Sequence, residues 1–229
     1  MSHFRIFFPF FPFFSLNLSS MRNPKLETEI FEQYLLKTPL ELEKILSDQI
    51  YQGIYFELGC GNGQFTAQLA LEHANQLVLA CDIDHVRVRK TVKRAAALNL
   101  SNFYGRPGRG EEFLSWLPNA SLDRFYINFP DPWPKKRHHK RRFFYDIANL
   151  NTVIEKLKPQ GRLYFATDHE EYFFFALKER LMTHPLLATP FEGGYTHQMA
   201  GYYTTLYEEK FRNEGKEIYY TYFEKISSN

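Results

Sequence analysis

The feature that most constrains this chain is a rhythm of short apolar runs and helical stretches. An apolar run, Ile54 to Leu58, leads through a glycine-rich turn into a helical stretch, Gln64 to Ala74, and then another apolar run, Gln76 to Asp82. A second helical stretch follows from His85 to Leu98. Beyond it come an apolar run from Leu122 to Phe129, a helical segment from Phe143 to Leu157 and a strand from Arg162 to Thr167. Strands that alternate with helices at this spacing form a parallel sheet covered on both faces. The expected fold is therefore α/β and doubly wound, with a mostly parallel sheet. Ahead of the first strand, Leu40, Leu42, Ile45 and Leu46 recur at helical spacing after Pro39, which predicts a helix from Leu40 to Ile50. The end of the chain reads differently. Tyr202 to Phe211 and Glu217 to Lys225 are rich in Tyr, Thr and Phe and are separated by Asn213, Glu214 and Gly215, which predicts an antiparallel C-terminal hairpin.

With 229 residues, 44% of them hydrophobic and 24% charged, the chain is long enough for one sizeable core, and a disordered, collagen-like or disulfide-framework protein is excluded. No uncharged apolar run reaches the roughly 18 residues that a membrane-spanning helix needs. Cys60 and Cys81 read as small buried hydrophobes and fit a reducing compartment. Phe4 to Phe14 holds 7 of the 23 Phe residues, interrupted by Pro9 and Pro12. It has neither a signal peptide's unbroken apolar region nor its cleavage site. Residues 1–20 are expected to be a disordered tail or an artefact of the chosen start codon, and residues 21–229 to be a single domain.

The strongest local signal is Glu57 to Gly63, ELGCGNG, where a strand should end and a helix begin. Glycines there, Gly59 and Gly61 among them, permit a tight turn and a close ligand at the edge where α/β sheets bind cofactors. A dinucleotide fingerprint would need a third glycine where Gln64 stands, and a phosphate loop would need a Gly-Lys-Ser/Thr ending. NAD and ATP are thereby demoted. The flanking carboxylates favour S-adenosylmethionine. Glu57 is placed to receive an ammonium group, directly or through water. Asp82, or in its stead Asp84, would accept hydrogen bonds from ribose hydroxyls at the end of the next strand.

The apolar run that starts at Leu122 leads into NFPDPWPKKRHHKRRFF, Asn128 to Phe144. Prolines 130, 132 and 134 hold the chain as a stiff loop at the same sheet edge, which brings Asp131 close to a transferable methyl group. Six Lys and Arg and two His crowd Lys135 to Arg142. Without those six, 28 basic residues fall to 22 against 26 acidic ones. Positive charge beside a cofactor edge points to a polyanionic substrate, and Lys135, Arg137, Arg141 and Arg142 are expected to share its phosphates. Trp133 would stack a base or join the core. No ligand spacing around His138 and His139 supports a metal.

In these motifs the chain resembles the bacterial tRNA (guanine-N(7)-)-methyltransferases from about Asn23 to Lys225. The specific parts are the glycine loop, the Phe129-Pro130-Asp131-Pro132-Trp133 run with its basic tail, Ala166-Thr167-Asp168, and Thr205-Leu206-Tyr207-Glu208. The resemblance implies a seven-stranded, Rossmann-like class I methyltransferase sheet. It also implies S-adenosylmethionine as cofactor, the variable-loop guanine of tRNA (position 46) as target, and a cytoplasmic monomer or weak homodimer with no metal and no membrane. By the same resemblance Glu57, Gly59, Gly61, Asp82 and Asp131 contact the cofactor, Asp131 is catalytic, and Lys135, Asp168, Thr205 and Glu208 bind substrate. One departure stands out: Gly108-Arg109-Gly110 replaces the family's Gly-Asp near adenine. Arg109 then meets adenine differently, Glu111 or Glu112 takes the role, or cofactor affinity falls.

Two rival readings follow from the residues. Asn128-Phe129-Pro130-Asp131 partly matches the Asn-Pro-Pro-aromatic loop of amino-group methylases but lacks its second-position Pro and fourth-position aromatic. A non-catalytic RNA-binding protein on a methyltransferase scaffold would fit Arg109 but not the retained Glu57, Gly59, Asp82 and Asp131.

Overall fold

The computed structural model describes Glu29 and residues 31–227, so the Phe-rich leader lies outside the described residues. Thr38 caps the first helix, α1 (Pro39–Ser47), through a capping box with Glu41, and Pro39 occupies the first turn, where its missing N–H costs nothing. The alternating body follows as β1 (Gly53–Leu58), α2 (Gln64–Glu72), β2 (Gln76–Asp82), α3 (His85–Ala97), β3 (Phe103–Pro107), α4 (Gly110–Ser115) and β4 (Leu122–Asn128). After a basic 3₁₀ segment come α5 (Ile147–Lys156), β5 (Leu157–Thr167), α6 (Glu170–Ala176), β6 (Leu187–Ala188), α7 (Leu206–Asn213) and β7 (Tyr219–Lys225).

The seven strands form one sheet in the order β3-β2-β1-β4-β5-β7-β6. β1 to β5 are parallel, while β7 runs antiparallel to both β5 and β6. The antiparallel C-terminal pair is present, but its composition differs from the expected hairpin. Residues 206–213 form α7, and β7 pairs instead with β5 over six residues and with the two-residue β6. Thr205 accepts the Glu208 N–H at 3.0 Å. A Thr-x-x-Glu start therefore outweighed the strand preference of the neighbouring tyrosines.

Strand alternation decides which side chains meet. One face of the sheet presents Phe56, Phe125 and Phe165 to the larger core, where the Phe56 and Phe125 rings stack at 5.4 Å. The other presents Tyr55, Tyr126 and Tyr164, with Tyr126 stacked on Tyr164 at 4.7 Å. Such aromatic pairs add about 0.5–1.5 kcal/mol each beyond their burial. Glu57, Asp82 and Asn128 share the parity of the tyrosine face and lie at strand carboxyl ends. The strand order reverses between β1 and β4, the position where sheets of this kind open a crevice.

Candidate active site

After β1 the chain turns through Gly59, Gly61 and Gly63, all with positive φ. The Gly59 and Cys60 N–H groups donate to the Cys81 carbonyl at 2.8 and 2.9 Å, which ties the turn to the end of β2. Two of the glycines have separate physical reasons. A Cβ on Gly63 would stand 2.6 Å from the Thr91 Cα, so α2 reaches α3 only without a side chain there. A Cβ on Gly59 would meet no atom within 4 Å and would project into open space. That space belongs to a cleft lined by Glu57, Gly59, Gly61, Gln64, Asn128, Thr205 and Tyr207, among others.

Glu57 forms the buried floor of the cleft. It accepts hydrogen bonds from Thr66 Oγ1 and from Asn128 Nδ2 (3.0 Å), and Tyr202 in turn donates to Asn128 Oδ1. Burial pushes the Glu57 carboxyl up from 4.5 to about 7, against the pull of those two donors. Asp82 is also buried, and its two oxygens accept the Gly61 and Asp84 N–H groups at 3.0 and 2.9 Å. A carboxylate offers about four lone-pair sites, so Asp82 keeps acceptor capacity for a diol. The Gln64 Oε1 is buried without a partner among the described residues. A floor that seeks a cation, an aligned carboxylate, an orphaned amide oxygen and an open glycine fit an amino-acid-bearing nucleoside. Asp84 is committed elsewhere, because it caps α3 through the Val86 N–H at 2.8 Å.

Asp131 stands exposed beyond the cleft lining, on a loop under strain. Phe129 and Trp133, two residues either side of it, have φ of 47° and 42°, a left-handed conformation that costs roughly 1–3 kcal/mol each for ordinary side chains. Contacts hold the loop there. The Phe129 N–H donates to the Ala166 carbonyl at 2.8 Å. Arg142 donates to the Pro132 carbonyl at 2.6 Å, makes a two-pronged pair with Glu171 at 3.0 and 2.7 Å, and lies over the Tyr172 ring. Its hydrogen bonds hold the Glu171 carboxyl below its ordinary value. Arg142 is only 3% exposed, so it is a brace of the loop and not one of the expected phosphate contacts. Lys135, Lys136, Arg137, Lys140 and Arg141 are exposed. Trp133 is half-buried within its own loop, with Arg141 over its face at 4.7 Å and His138 at its edge.

The remaining expected residues separate. Thr205 lines the cleft and caps α7, whereas Glu208 is buried with its Oε1 accepting from Arg212 Nε at 2.9 Å. Asp168 accepts from Lys216 Nζ at 2.7 Å. Arg109 is 74% exposed on its side chain and pairs with Glu111 at 3.6 Å, while Glu112 is engaged by Arg106. Both substitute acids at the start of α4 are thus already paired. Among the described residues no group of three or more His, Cys, Asp and Glu is gathered to hold a metal, and no helix is long and apolar enough to cross a membrane.

Three residues that sequence reasoning missed belong to the site. Asn128 bridges Glu57 and Tyr202; its parity with Tyr126 on β4 was a readable signal. Arg87 has Tyr207 within 5.9 Å. Partial burial depresses its basicity, but Tyr207, Asp82 and Asp131 carry it upward. Ile83, directly after Asp82 at the end of β2, is an apolar residue 75% exposed.

A doubly wound sheet with a glycine turn and two carboxylates at its switch point defines a methyltransferase-type protein. The sequence matches a family described as "Putative methyltransferase" over residues 51–221, and the chain belongs to that family. It is 32% identical to a tRNA (guanine-N(7)-)-methyltransferase of Lacticaseibacillus casei over 72% of this chain and 78% of that protein. It is 31% identical to a protein of the same name from Geobacter metallireducens over 84% of this chain and 90% of that one. The fold matches the crystal structure of an rRNA methylase from Streptococcus thermophilus with a TM-score of 0.54 at 16% identity, covering 84% of this chain and 99% of that one.

Proposed function

We propose that this protein transfers a methyl group from S-adenosylmethionine to N(7) of a guanine in tRNA, the variable-loop guanine by its likeness to the family. One observation carries the reading: a buried carboxylate floor for the cofactor stands beside a braced Asp131 and a run of exposed cations. S-adenosylmethionine, when bound, supplies a methyl group on a positively charged sulfur. Glu57 would receive its ammonium group, Asp82 its ribose hydroxyls, and Ile83 an apolar face of its base. Guanine N(7) carries an in-plane lone pair and no proton, so the site must align the base and need not deprotonate it. Methylated at N(7), the base would carry a positive charge. Asp131 would orient the guanine edge and stabilise that growing charge. Lys135 and the exposed cations up to Arg141 would hold phosphates, while Thr205 would sit near the reacting base at the cleft wall.

Asp168 and Glu208 would assist substrate binding through acceptor sites that Lys216 and Arg212 leave open, or by exchanging those partners for substrate donors. A single methyltransferase domain acting on tRNA in the cytoplasm completes the reading. The test is incubation with labelled S-adenosylmethionine and unmodified tRNA, followed by nucleoside analysis. Label in 7-methylguanosine is the expected result. Label in an N-methylated exocyclic amine would favour the amino-group alternative. Binding without transfer would favour a non-catalytic RNA-binding protein.

A further inference from the structure

The second strong concentration of positive charge lies on α3, and the site described above uses only its first arginine. Arg87, Arg89, Lys90, Lys93 and Arg94 fall within the 13 residues of this helix, which contains no acid. The buried side of α3 is Val88, Thr91, Val92, Ala95 and Ala96, so at 100° per residue the five cations share the opposite arc. Lys90 makes no hydrogen bond, ion pair or ring contact among the described residues. Arg94 is exposed and has one hydrogen bond, from its Nε to the Asn62 carbonyl at 3.4 Å, and no carboxylate partner among the described residues. Removing the cations of α3 and of residues 135–142 from the 28 leaves 17 against 26 acidic residues, so the rest of the chain is strongly acidic.

This charge is continuous with the active site. Arg87 opens the arc 5.9 Å from the ring of Tyr207, a residue of the cleft lining. From Arg87 to Arg94 the arc runs about 10 Å along the helix axis, away from the rim. Arg94 then lines a broad polar groove with Gln64, Gln68, Tyr203 and Thr204. The nucleotide acted on at the rim is part of a polymer, so the chain on at least one side of it must leave across the neighbouring surface. On one side of the cleft that surface is the basic 3₁₀ segment; on the other it is α3.

We propose that the exposed face of α3, centred on Lys90 and Arg94, is a second docking surface for the tRNA backbone, holding phosphates outside the target nucleotide. The proposal rests on the functional reading above. Lys90→Gln and the double variant Lys90→Gln/Arg94→Gln, made in the full chain, test it by tRNA binding across a salt series and by steady-state methylation. Lys90→Gln should weaken tRNA binding about threefold and lower the salt slope by about one. The double variant should weaken it about tenfold and lower the slope by about two, with KM for tRNA raised and kcat unchanged. Calorimetric S-adenosylmethionine binding should stay at the wild-type value in both.

Unchanged affinity and slope in both variants overturn the proposal, whether the face is idle or covered by the chain's own N-terminal residues. Loss of S-adenosylmethionine affinity in the double variant, with a normal slope in Lys90→Gln, overturns it too and makes Arg94 a support of the glycine turn. Wild-type protein that binds tRNA but yields no 7-methylguanosine breaks the functional reading alone, and the slopes still decide the surface. Wild-type protein that binds no tRNA overturns both.

Discussion

The cofactor edge and the Asp131 loop lie side by side at the sheet's carboxyl ends, yet opposite means build them. Glu57 and Asp82 are strand residues, buried, with their oxygens engaged by Thr66, Asn128 and backbone N–H groups. Asp131 is exposed on an irregular loop between two left-handed residues and is held from a distance by Arg142. A cofactor site can be part of the sheet because its ligand is small and always the same. On the proposed function Asp131 would meet a base carried by a large RNA, which requires it to stand outside the sheet; its rigidity comes from prolines and from a buried arginine on the loop's far limb.

The sharpest way to break this contrast is Asp131→Ala. Turnover should fall by about 10²–10³-fold, with cofactor affinity changed only severalfold, since Asp131 is exposed whereas Glu57 and Asp82 are buried. Near-normal turnover would remove Asp131 from the chemistry. On the cofactor side, Gly63→Ala forces a Cβ against Thr91 at a positive φ and should cost about 3 kcal/mol, a drop of roughly 6–12 °C in Tm by scanning calorimetry. A change under one degree would mean that α2 and α3 part easily.

Arg142→Ala should cost about 2 kcal/mol, because three hydrogen bonds are lost but the Glu171 side of the pair is largely exposed and screened. Its signature is a kcat lowered about tenfold with S-adenosylmethionine binding unchanged. Arg142→Lys should not restore it, since one ammonium group cannot reproduce the fork. Equal losses of cofactor affinity and kcat would dissolve the distinction between the two regions.

Glu57 sharpens the contrast through pH. Its folded pKa of about 7 lies above the ordinary 4.5, so stability from this group is fully present below about pH 4.5 and is lost as pH rises through about 7. A cofactor ammonium prefers the ionised carboxylate, so cofactor affinity should fall as pH drops below about 7, with proton release in calorimetry. Glu57→Gln should abolish both trends; a pH-independent Kd in the wild type would place the ammonium elsewhere. The smallest effect belongs to Lys135→Ala. It should weaken tRNA binding a few-fold and lower the salt slope by about one, whereas Arg142→Ala leaves the slope unchanged.

Much of the fold was legible because strands and helices announce themselves by periodicity. β2 was predicted at its observed bounds, and β1, α3 and β4 lay within a residue of theirs. Where local signals conflicted, reading failed: Thr205 and Glu208 formed a helix start inside a strand-like composition, and α7 replaced the expected strand. Arg142 looked like its neighbours because charge in a sequence carries no direction. Its burial depends on the 3₁₀ segment ending at Arg141 and the chain turning back toward Glu171, a residue 29 positions away.

The sequence by itself determined the alternation, the glycine turn, the two carboxylates at strand ends and the stiff Pro-Asp-Pro loop, because each is written within a few neighbouring residues. Only the tertiary structure decided that Asn128 joins Tyr202 to Glu57, that Arg87 meets Tyr207 at the cleft, and that Arg142 braces while α3 keeps its cations on its open face. Those outcomes depend on strand order, register and helix packing, which join residues far apart in the chain and leave no local trace.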